Sequence, residues 1–299
     1  MKKIHLTRYA AMASIALMGT SAAWGGATTE GTGWSTANGG KELQLFSSQA
    51  VDLVSISQTD INSYMDAVKT ITVRRVDPAA EYSTLMLPAE VNVSESSEIT
   101  DVYVPTGYVK DDKTLNFLRE ESGTISANTP YLVHVTGSPE SFTFTKSSGT
   151  YNIVAPEKNE YSTTLDRSCW DFTGSYAKKY WATAPANIYG YAAAAGGNYD
   201  AGQFVKVGEK VTLPPLRAYL TCTNKGFGKS STDNVYDNLP DVIKVRLLDK
   251  SGETLSIGTM NTRTGEIQMQ DRYYDLKGRK LNGKPQNKIM YVNKKVIKH

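Results

Sequence analysis

The chain offers few residues for nucleophilic or acid–base catalysis. Its three histidines are His5, His134 and His299. His134 falls in a predicted strand, in phase with Leu132, and we interpret it as a histidine on a sheet face rather than a general base. A serine triad needs a positioned histidine and an elbow of the form Gly-x-Ser-x-Gly, which the sequence does not contain. We therefore predict no catalytic residue and no enzymatic activity.

Paired carboxylates would support an alternative, glycoside hydrolysis. That chemistry requires two carboxyl groups facing one cleft, roughly 5–9.5 Å apart. The acidic residues are scattered, and no spacing singles out a pair. The most notable are Asp77, Glu81, Glu90, Asp101, Glu120 and Glu121. A carboxylate-dependent glycoside hydrolase stays an alternative that the sequence does not favour.

Two short runs imitate ligand-binding loops. Residues 226–230 end like a phosphate loop, but the first glycine that such a loop requires would fall at Thr223. The run from Asp249 to Glu253 is better interpreted as a hairpin turn than as a loop of calcium ligands. The sequence therefore predicts no cofactor and no metal ion.

Aromatic residues are concentrated between positions 170 and 199. Exposed aromatic faces can stack on sugars or anchor a protein interface. Four of these residues, Trp170, Phe172, Tyr189 and Tyr191, fall in predicted strands, where we expect them to fill a core. Tyr180, Trp181 and Tyr199 lie nearer to predicted turns. These three are the candidates for a carbohydrate-binding site.

The two cysteines, Cys169 and Cys222, lack the spacing of a metal site or redox motif. A disulfide between them would close a loop of roughly 50 residues and would contribute roughly 4 kcal/mol on the chain-entropy argument. Strand alternation argues mildly against this bond, because Cys222 shares a face with Leu220 whereas Cys169 is out of phase with Trp170. The sequence permits the disulfide and leaves the question open.

Short alternating segments predict strands throughout the chain. Alternation of apolar and polar residues marks a strand with one buried face. The clearest alternating sets are Ile71/Val73, Val102/Val104, Tyr131/Val133/Val135, Phe142/Phe144 and Ile243/Val245/Leu247. We predict an all-β fold, with a β-sandwich-like main domain and a small C-terminal β-sandwich or hairpin domain.

One segment, Thr59–Val68, has a helical pattern. Its expected N-cap is Asp60. The predicted apolar face consists of Ile61, Tyr64, Met65 and Val68.

The first 23 residues have the pattern of a secretory signal peptide. Lys2, Lys3 and Arg8 make the start basic, and an uncharged run extends from Tyr9 to Ala23 and ends in the small residues Ser21, Ala22 and Ala23. The run is too short to span a membrane comfortably. Residues 24–40 are rich in Gly, Thr and Ser, and we expect a flexible leader there. These features predict an exported protein without a transmembrane segment in its mature form.

Charge is unevenly distributed along the chain. The sequence has 33 basic and 30 acidic residues, and removal of Lys2, Lys3 and Arg8 with the signal leaves the two equal. From Lys277 onward every charged side chain is basic, so the remaining body is acidic. Nucleic-acid binders carry a basic patch on the folded domain, and we therefore expect no nucleic-acid partner.

Composition divides the chain into a main domain at 41–225, a linker at 226–240 and a C-terminal domain at 241–299. The last 40 or so residues resemble the C-terminal sorting domain of type IX secretion cargo. The matching residues are Tyr274, Asp275, Leu276, Gly278, Arg279, Tyr291, Val292, Lys294, Lys295 and Lys298. The resemblance implies delivery by type IX secretion, with the secretion machinery as a partner of this domain.

The body also resembles an uncharacterised β-domain that is common in secreted proteins of the Gram-negative bacteria that use type IX secretion. The resemblance depends on the runs beginning at Leu85, Ile125, Trp170 and Pro215. It implies fold and location, and no ligand. We expect a non-enzymatic surface or secreted protein that acts in adhesion or as an accessory module and binds polysaccharide or surface proteins. Periplasmic residence is the alternative location, and carbohydrate binding is the alternative function.

Overall fold

The computed structural model describes residues 29–165, 169–223 and 239–256 and, farther along, the backbone of five short strands. The described chain is almost entirely β-structure, which confirms the predicted all-β, sandwich-like class. It contains one α-helix, α1 at Gln58–Met65, and one 3-10 turn at Val93–Glu95. None of its helices is both long and apolar enough to cross a membrane.

The strands are short and follow each other closely. In the first half of the chain they are β1 Glu30–Gly31, β2 Trp34–Ala37, β3 Glu42–Phe46, β4 Thr70–Arg74, β5 Tyr82–Leu85, β6 Val91–Asn92, β7 Ile99–Val109, β8 Thr114–Arg119, β9 Thr124–Ile125, β10 Tyr131–Val135 and β11 Ser141–Thr145. In the second half they are β12 Glu160–Thr164, β13 Trp170–Ser175, β14 Lys179–Trp181, β15 Ile188–Tyr191, β16 Phe204–Lys206, β17 Val211–Leu213, β18 Arg217–Cys222, β19 Val242–Leu248, β20 Thr254–Ser256, β21 Gly258–Met260, β22 Ile267–Met269, β23 Tyr273–Tyr274, β24 Ile289–Val292 and β25 Lys295–Lys298.

Two sheets carry most of the structure. The smaller has the order β1-β2-β3-β4-β11, and the larger has the order β12-β13-β18-β15-β16-β19-β8-β7-β10-β5, with β20 added to β19. Most neighbours are antiparallel, whereas β3 with β4 and β19 with β8 are parallel. The remaining strands of the described chain form four small sheets, β6-β9, β14-β17, β21-β22 and β23-β24-β25.

A sandwich core lies between the smaller sheet and one face of β5, β7 and β10. Tyr131, Val133 and Val135 point into it from β10, as their alternation predicts. Leu43, Leu45, Ile71, Val73, Phe142 and Phe144 point into it from the smaller sheet. Full burial of an apolar side chain of this size contributes roughly 1.5–3 kcal/mol, so this face holds the two sheets together.

A second core lies on the opposite face of the same three strands. Leu132 and Tyr103 enter it, so β7 and β10 are buried on both faces rather than on the single face that alternation suggests. The larger sheet curls around this core until its β5 end approaches β18. There the Thr84 hydroxyl donates to Ala218 O at 3.3 Å and accepts from Ala218 N at 2.9 Å.

Residues 29–40 are ordered, and the expectation of a flexible leader is wrong for this part. They form β1 and β2, and the Trp34 side chain is only 3% exposed. Its indole Nε1 donates to Asp52 O at 3.1 Å. The sequence pattern is misleading because Trp34 alone supplies the apolar surface among small polar residues. Residues 24–28 lie outside the described chain.

Strand β19 belongs to the larger sheet. It pairs with β16 on one side and β8 on the other. The predicted start of a separate C-terminal domain at residue 241 therefore falls before two strands of the main sheet, β19 and β20, and any division between them comes after Ser256. The predicted hairpin turn at Asp249–Glu253 is confirmed, since Asp249 N donates to Glu253 O at 2.9 Å and β20 follows. Most of the expected linker, residues 224–238, lies outside the described chain.

Helix α1 confirms the predicted helix with three corrections. It ends at Met65, so Val68 is buried but lies beyond the helix. Ser57 is the N-cap, because its Oγ accepts a hydrogen bond from Asp60 N at 3.1 Å. The Ser57 hydroxyl in turn donates a hydrogen bond to the Asp60 carboxylate. Ile61 and Met65 are buried, but Tyr64 is 40% exposed. Tyr64 therefore lies at the border of the apolar face and not within it.

Gly174 provides a test of how tightly the two halves of the fold pack. A Cβ at Gly174 would lie 2.5 Å from Met86 Sδ and 3.1 Å from Pro130 Cβ, whereas a Cβ at Gly107 would meet nothing within 4 Å. We expect Gly174→Ala to lower the free energy of unfolding by about 1–3 kcal/mol through overpacking. Urea unfolding monitored by tryptophan fluorescence would measure this. Gly107→Ala is the matched control and should be neutral or slightly stabilising; equal effects of the two substitutions would contradict close packing at Gly174.

Candidate functional site

The candidate aromatic residues Tyr180 and Trp181 lie on a two-stranded ribbon formed by β14 and β17. Trp181 is directly opposite Val211, and Tyr180 is opposite Thr212. Because neighbouring residues of a strand point to opposite faces, Tyr180 and Trp181 cannot stack on the same face of one ligand. Tyr180 is 62% exposed, while Trp181 is half-buried.

The face of the ribbon that carries Trp181 has both aromatic and charged groups beside it. The Trp181 ring meets the Tyr219 ring edge-on, with centroids 5.8 Å apart. The Tyr219 hydroxyl donates to Glu160 Oε1 at 2.9 Å, and Lys179 forms an ion pair with the same carboxylate. Burial raises the pKa of Tyr219, and the adjacent Glu160 raises it further. An aromatic ring beside fixed charged groups can stack on a sugar and bond its hydroxyls.

The sequence alone does not identify Glu160 and Tyr219 as part of this face. Glu160 comes from β12, at the edge of the larger sheet, and Tyr219 comes from β18. Antiparallel pairing of β12 with β13 and of β13 with β18 brings them together. Their meeting depends on register across three strands, which no local pattern reveals.

Tyr199 does not join the ribbon residues in any contact that the structure describes. It pairs with Gly196 within its own turn, where Tyr199 N donates to Gly196 O at 2.9 Å. Its ring lies over Gly196, because a Cβ there would come within 2.6 Å of the Tyr199 hydroxyl oxygen. The three predicted aromatic residues therefore do not form a single platform, and Trp181 with its neighbours is the surviving candidate face.

The aromatic residues that we expected in the core are largely there. Trp170, Phe172 and Tyr189 are buried in the second core, and the Trp170 and Tyr189 rings pack edge-on at 5.2 Å. Tyr191 is only partly buried and packs on Phe204 at 5.3 Å. Burial nonetheless raises its pKa, and Tyr82 contributes to the shift.

His134 lies on a sheet face between two carboxylates. The Thr100 hydroxyl oxygen is 2.7 Å from Nδ1, Asp101 Oδ2 is 3.4 Å from the same nitrogen, and Glu81 Oε1 is 3.8 Å from Nε2. The imidazole also packs on the Tyr82 ring, with centroids 4.8 Å apart. Both ring nitrogens thus face polar groups of neighbouring strands, an arrangement that suits a histidine stabilising a sheet surface.

Glu81 and Asp101 are the two candidate carboxylates that the structure brings to one place. The imidazole of His134 fills the space between them, and Arg119 holds Asp101 in an ion pair at 2.5 Å. Both carboxylates already contact basic side chains of the sheet, so the pair lends no support to a hydrolase. In the described residues, no group of three His, Cys, Asp or Glu side chains is arranged to hold a metal ion.

A disulfide joins Cys169 and Cys222, with the Cα atoms 4.7 Å apart. Cys222 is buried in β18 opposite Trp170, and Cys169 precedes the first residue of β13. At that position Cys169 O accepts from Thr223 N at 2.7 Å. The alternation argument fails here because Cys169 lies outside the regular strand and its side chain need not follow the alternation of β13.

The candidate sorting residues are only partly covered by the described chain. The backbones of β23, β24 and β25 form a three-stranded antiparallel sheet that includes the segments at 273–274, 289–292 and 295–298. Asp275, Leu276, Gly278, Arg279 and Lys294 lie outside the described residues. The sorting role of this segment stays a prediction.

No protein family, curated protein or solved structure matches this chain. Its function must therefore be argued from its own residues and their geometry.

The disulfide should stabilise the β13–β18 pair. It spans 53 residues, and a loop of that size corresponds to roughly 4 kcal/mol on the chain-entropy argument. We expect the double variant Cys169→Ser/Cys222→Ser to lose about 2–4 kcal/mol of unfolding free energy in denaturant titrations. Dithiothreitol should destabilise the wild type by a similar amount and leave the double variant unaffected. An unchanged wild type under full reduction would contradict this role.

Proposed function

We propose that this chain is an exported β-protein without catalytic activity, which acts at the bacterial surface or outside the cell as an adhesion or accessory binding module. The observation that carries the proposal is the signal-like start, in which a basic segment precedes an uncharged run and small residues. The Cys169–Cys222 disulfide supports it, since such bonds persist in oxidising compartments.

The route that we propose is type IX secretion. It is supported by the resemblance of the tail around Tyr274 and Tyr291 to the sorting domain of such cargo. It is also supported by the charge of this segment, which is basic from Lys277 onward. Lysines on short terminal strands prevent them from pairing with other chains, which suits a segment that must remain available to the secretion machinery.

The non-catalytic part of the proposal is supported by His134. It is the one histidine within the described residues, and its ring nitrogens face Thr100, Asp101 and Glu81. A general base needs a nitrogen within reach of a substrate proton. Here the imidazole instead links three strands of the larger sheet.

Cells that lack the type IX machinery provide the test of the route. We expect the protein to reach the surface or medium of wild-type cells and to accumulate in the periplasm of cells without the machinery. Immunodetection on intact and fractionated cells would distinguish the two, and mass spectrometry of the surface form would show whether the tail is removed.

A form truncated after Ser256 is the matched control in wild-type cells. It keeps the described body and should remain in the periplasm. Surface display in the secretion-deficient cells, or of the truncated form, would overturn the proposed route.

Carbohydrate binding through the Trp181 face is a second candidate function. The observation that favours it is the half-buried Trp181 ring beside Tyr219, with Glu160 and Lys179 fixed next to it. A stacking ring with charged groups at its edge matches the needs of a polyhydroxylated ligand.

Substitution of Trp181 tests this function. We expect Trp181→Ala to weaken binding to a polysaccharide retained by the wild type at least tenfold in affinity gel electrophoresis, because truncation of a central aromatic residue at a binding hot spot costs about 2 kcal/mol or more. Tyr180→Ala and Tyr199→Ala are the matched controls and should bind as the wild type does. Equal loss in all three variants, or no retention of the wild type across neutral and acidic polysaccharides, would exclude this face as a sugar site.

A further inference from the structure

Two arginines from distant parts of the chain converge on one buried hydroxyl. Arg75 Nη1 lies 3.3 Å from Ser83 Oγ, and Arg217 Nη1 lies 2.5 Å from the same atom. We propose that Arg75 and Arg217 form a binding site for a small oxyanion, a carboxylate, sulfate or phosphate group. This site is independent of the sugar-binding and secretion proposals.

The fold fixes both guanidinium groups in place. Arg75 directly follows β4, its Nε donates to Asp77 O at 3.2 Å, and its Cζ lies 4.7 Å from the centre of the Phe142 ring. Arg217 is the first residue of β18. Ser83, in β5, is 1% exposed. A site held by two sheets and an aromatic ring is preorganised, so binding costs little side-chain ordering.

The two positive charges have no ion-pair partner among the described residues. The carboxylate of Asp77, which is exposed, acts on both arginines through space and raises the pKa of each. Burial and the charge of Arg217 lower the pKa of Arg75 to about 9, and burial lowers that of Arg217 to about 10. Both groups therefore keep their protons at neutral pH and repel one another.

Most of the guanidinium N–H groups have no hydrogen-bond partner among the described residues. Each guanidinium carries five N–H donors in a planar fork that matches the oxygens of a carboxylate or phosphate. Arg75 uses donors for Ser83 and Asp77, and Arg217 uses one for Ser83. Neither side chain is fully buried, and none of their nitrogens is among the buried unpartnered atoms of the described residues. The unpartnered guanidinium nitrogens therefore keep some contact with solvent.

Ser83 sets the geometry of the pair and is not the ligand-binding group itself. Its oxygen accepts from both arginines and its hydroxyl donates to Thr84 O at 3.4 Å, so its bonding capacity is filled. Counting Asp77, the site has one net positive charge. This charge favours a single anionic group over a densely charged polyanion.

The test is thermal unfolding of the full chain with acetate, sulfate or phosphate, each against sodium chloride at the same ionic strength. An anion that binds the native state alone raises Tm in proportion to the logarithm of its concentration. We expect at least one of the three to raise Tm by several degrees beyond chloride. The anion that does so identifies whether a planar or a tetrahedral group is preferred.

Charge-removing variants separate this site from general salt effects. Arg75→Gln and Arg217→Gln should lose the anion-specific rise, whereas Arg74→Gln should keep it. Arg74 is the neighbouring, exposed arginine at the end of β4, and its Nε donates to the Gln44 side chain. Its substitution removes the same amount of charge. Sulfate and phosphate also stabilise proteins by exclusion from the surface, an effect that would be the same in all four proteins.

Arg217→Lys keeps the positive charge and removes the planar guanidinium group with its paired N–H donors. If either glutamine variant fails to fold, this variant and calorimetric titration of the wild type with the same anions decide the matter. We expect the lysine variant to bind several-fold more weakly than the wild type. No anion-specific rise and no binding heat in the wild type, or an equal rise in wild type, Arg74→Gln and the site variants, would overturn the proposal.

Discussion

Burial of β10 on both faces is the constraint on which the rest of the structure depends. Tyr131, Val133 and Val135 face the sandwich core, while Leu132 faces the core of the curled sheet. At roughly 1.5–3 kcal/mol for each buried side chain, one five-residue strand contributes to both cores at once. The two halves of the fold therefore cannot move apart without exposing apolar surface on both sides.

This shared strand also determines where the larger sheet must end. With β5 held next to β10, the sheet curls until Thr84 reaches Ala218. The Thr84 side chain hydrogen-bonds to the backbone N–H and C=O of Ala218, at a point where no strand pairs with that side of β18. Buried backbone groups need such partners. The residue before it, Ser83, then lies on the other face of β5, at the seam where Arg75 and Arg217 meet.

Local patterns in the sequence predict the elements well and their partners poorly. The alternation at Phe142/Phe144 and the helix around Ile61 are confirmed, because each is encoded within a few residues. The strand at Val242–Leu248 is also confirmed. Its place in the larger sheet was not predicted, because it depends on parallel pairing with residues more than a hundred positions earlier. Trp34 shows the same limit, since it is buried in the sandwich core and its indole donates to Asp52 O, which belongs to a later segment of the chain.

The candidate site has the same division between local and non-local information. Alternation in β18 directs Ala218, Leu220 and Cys222 into the curled core, so only the intervening residues are free for contacts elsewhere. Arg217 and Tyr219 are two such residues, and they therefore project from the same face of the strand. One contacts Ser83 and the other contacts Trp181. Arg217 and the Trp181 face are therefore neighbours, because the side chains on the opposite side of β18 are buried in the core. A ligand that contacted both would need an anionic group close to a ring that can stack.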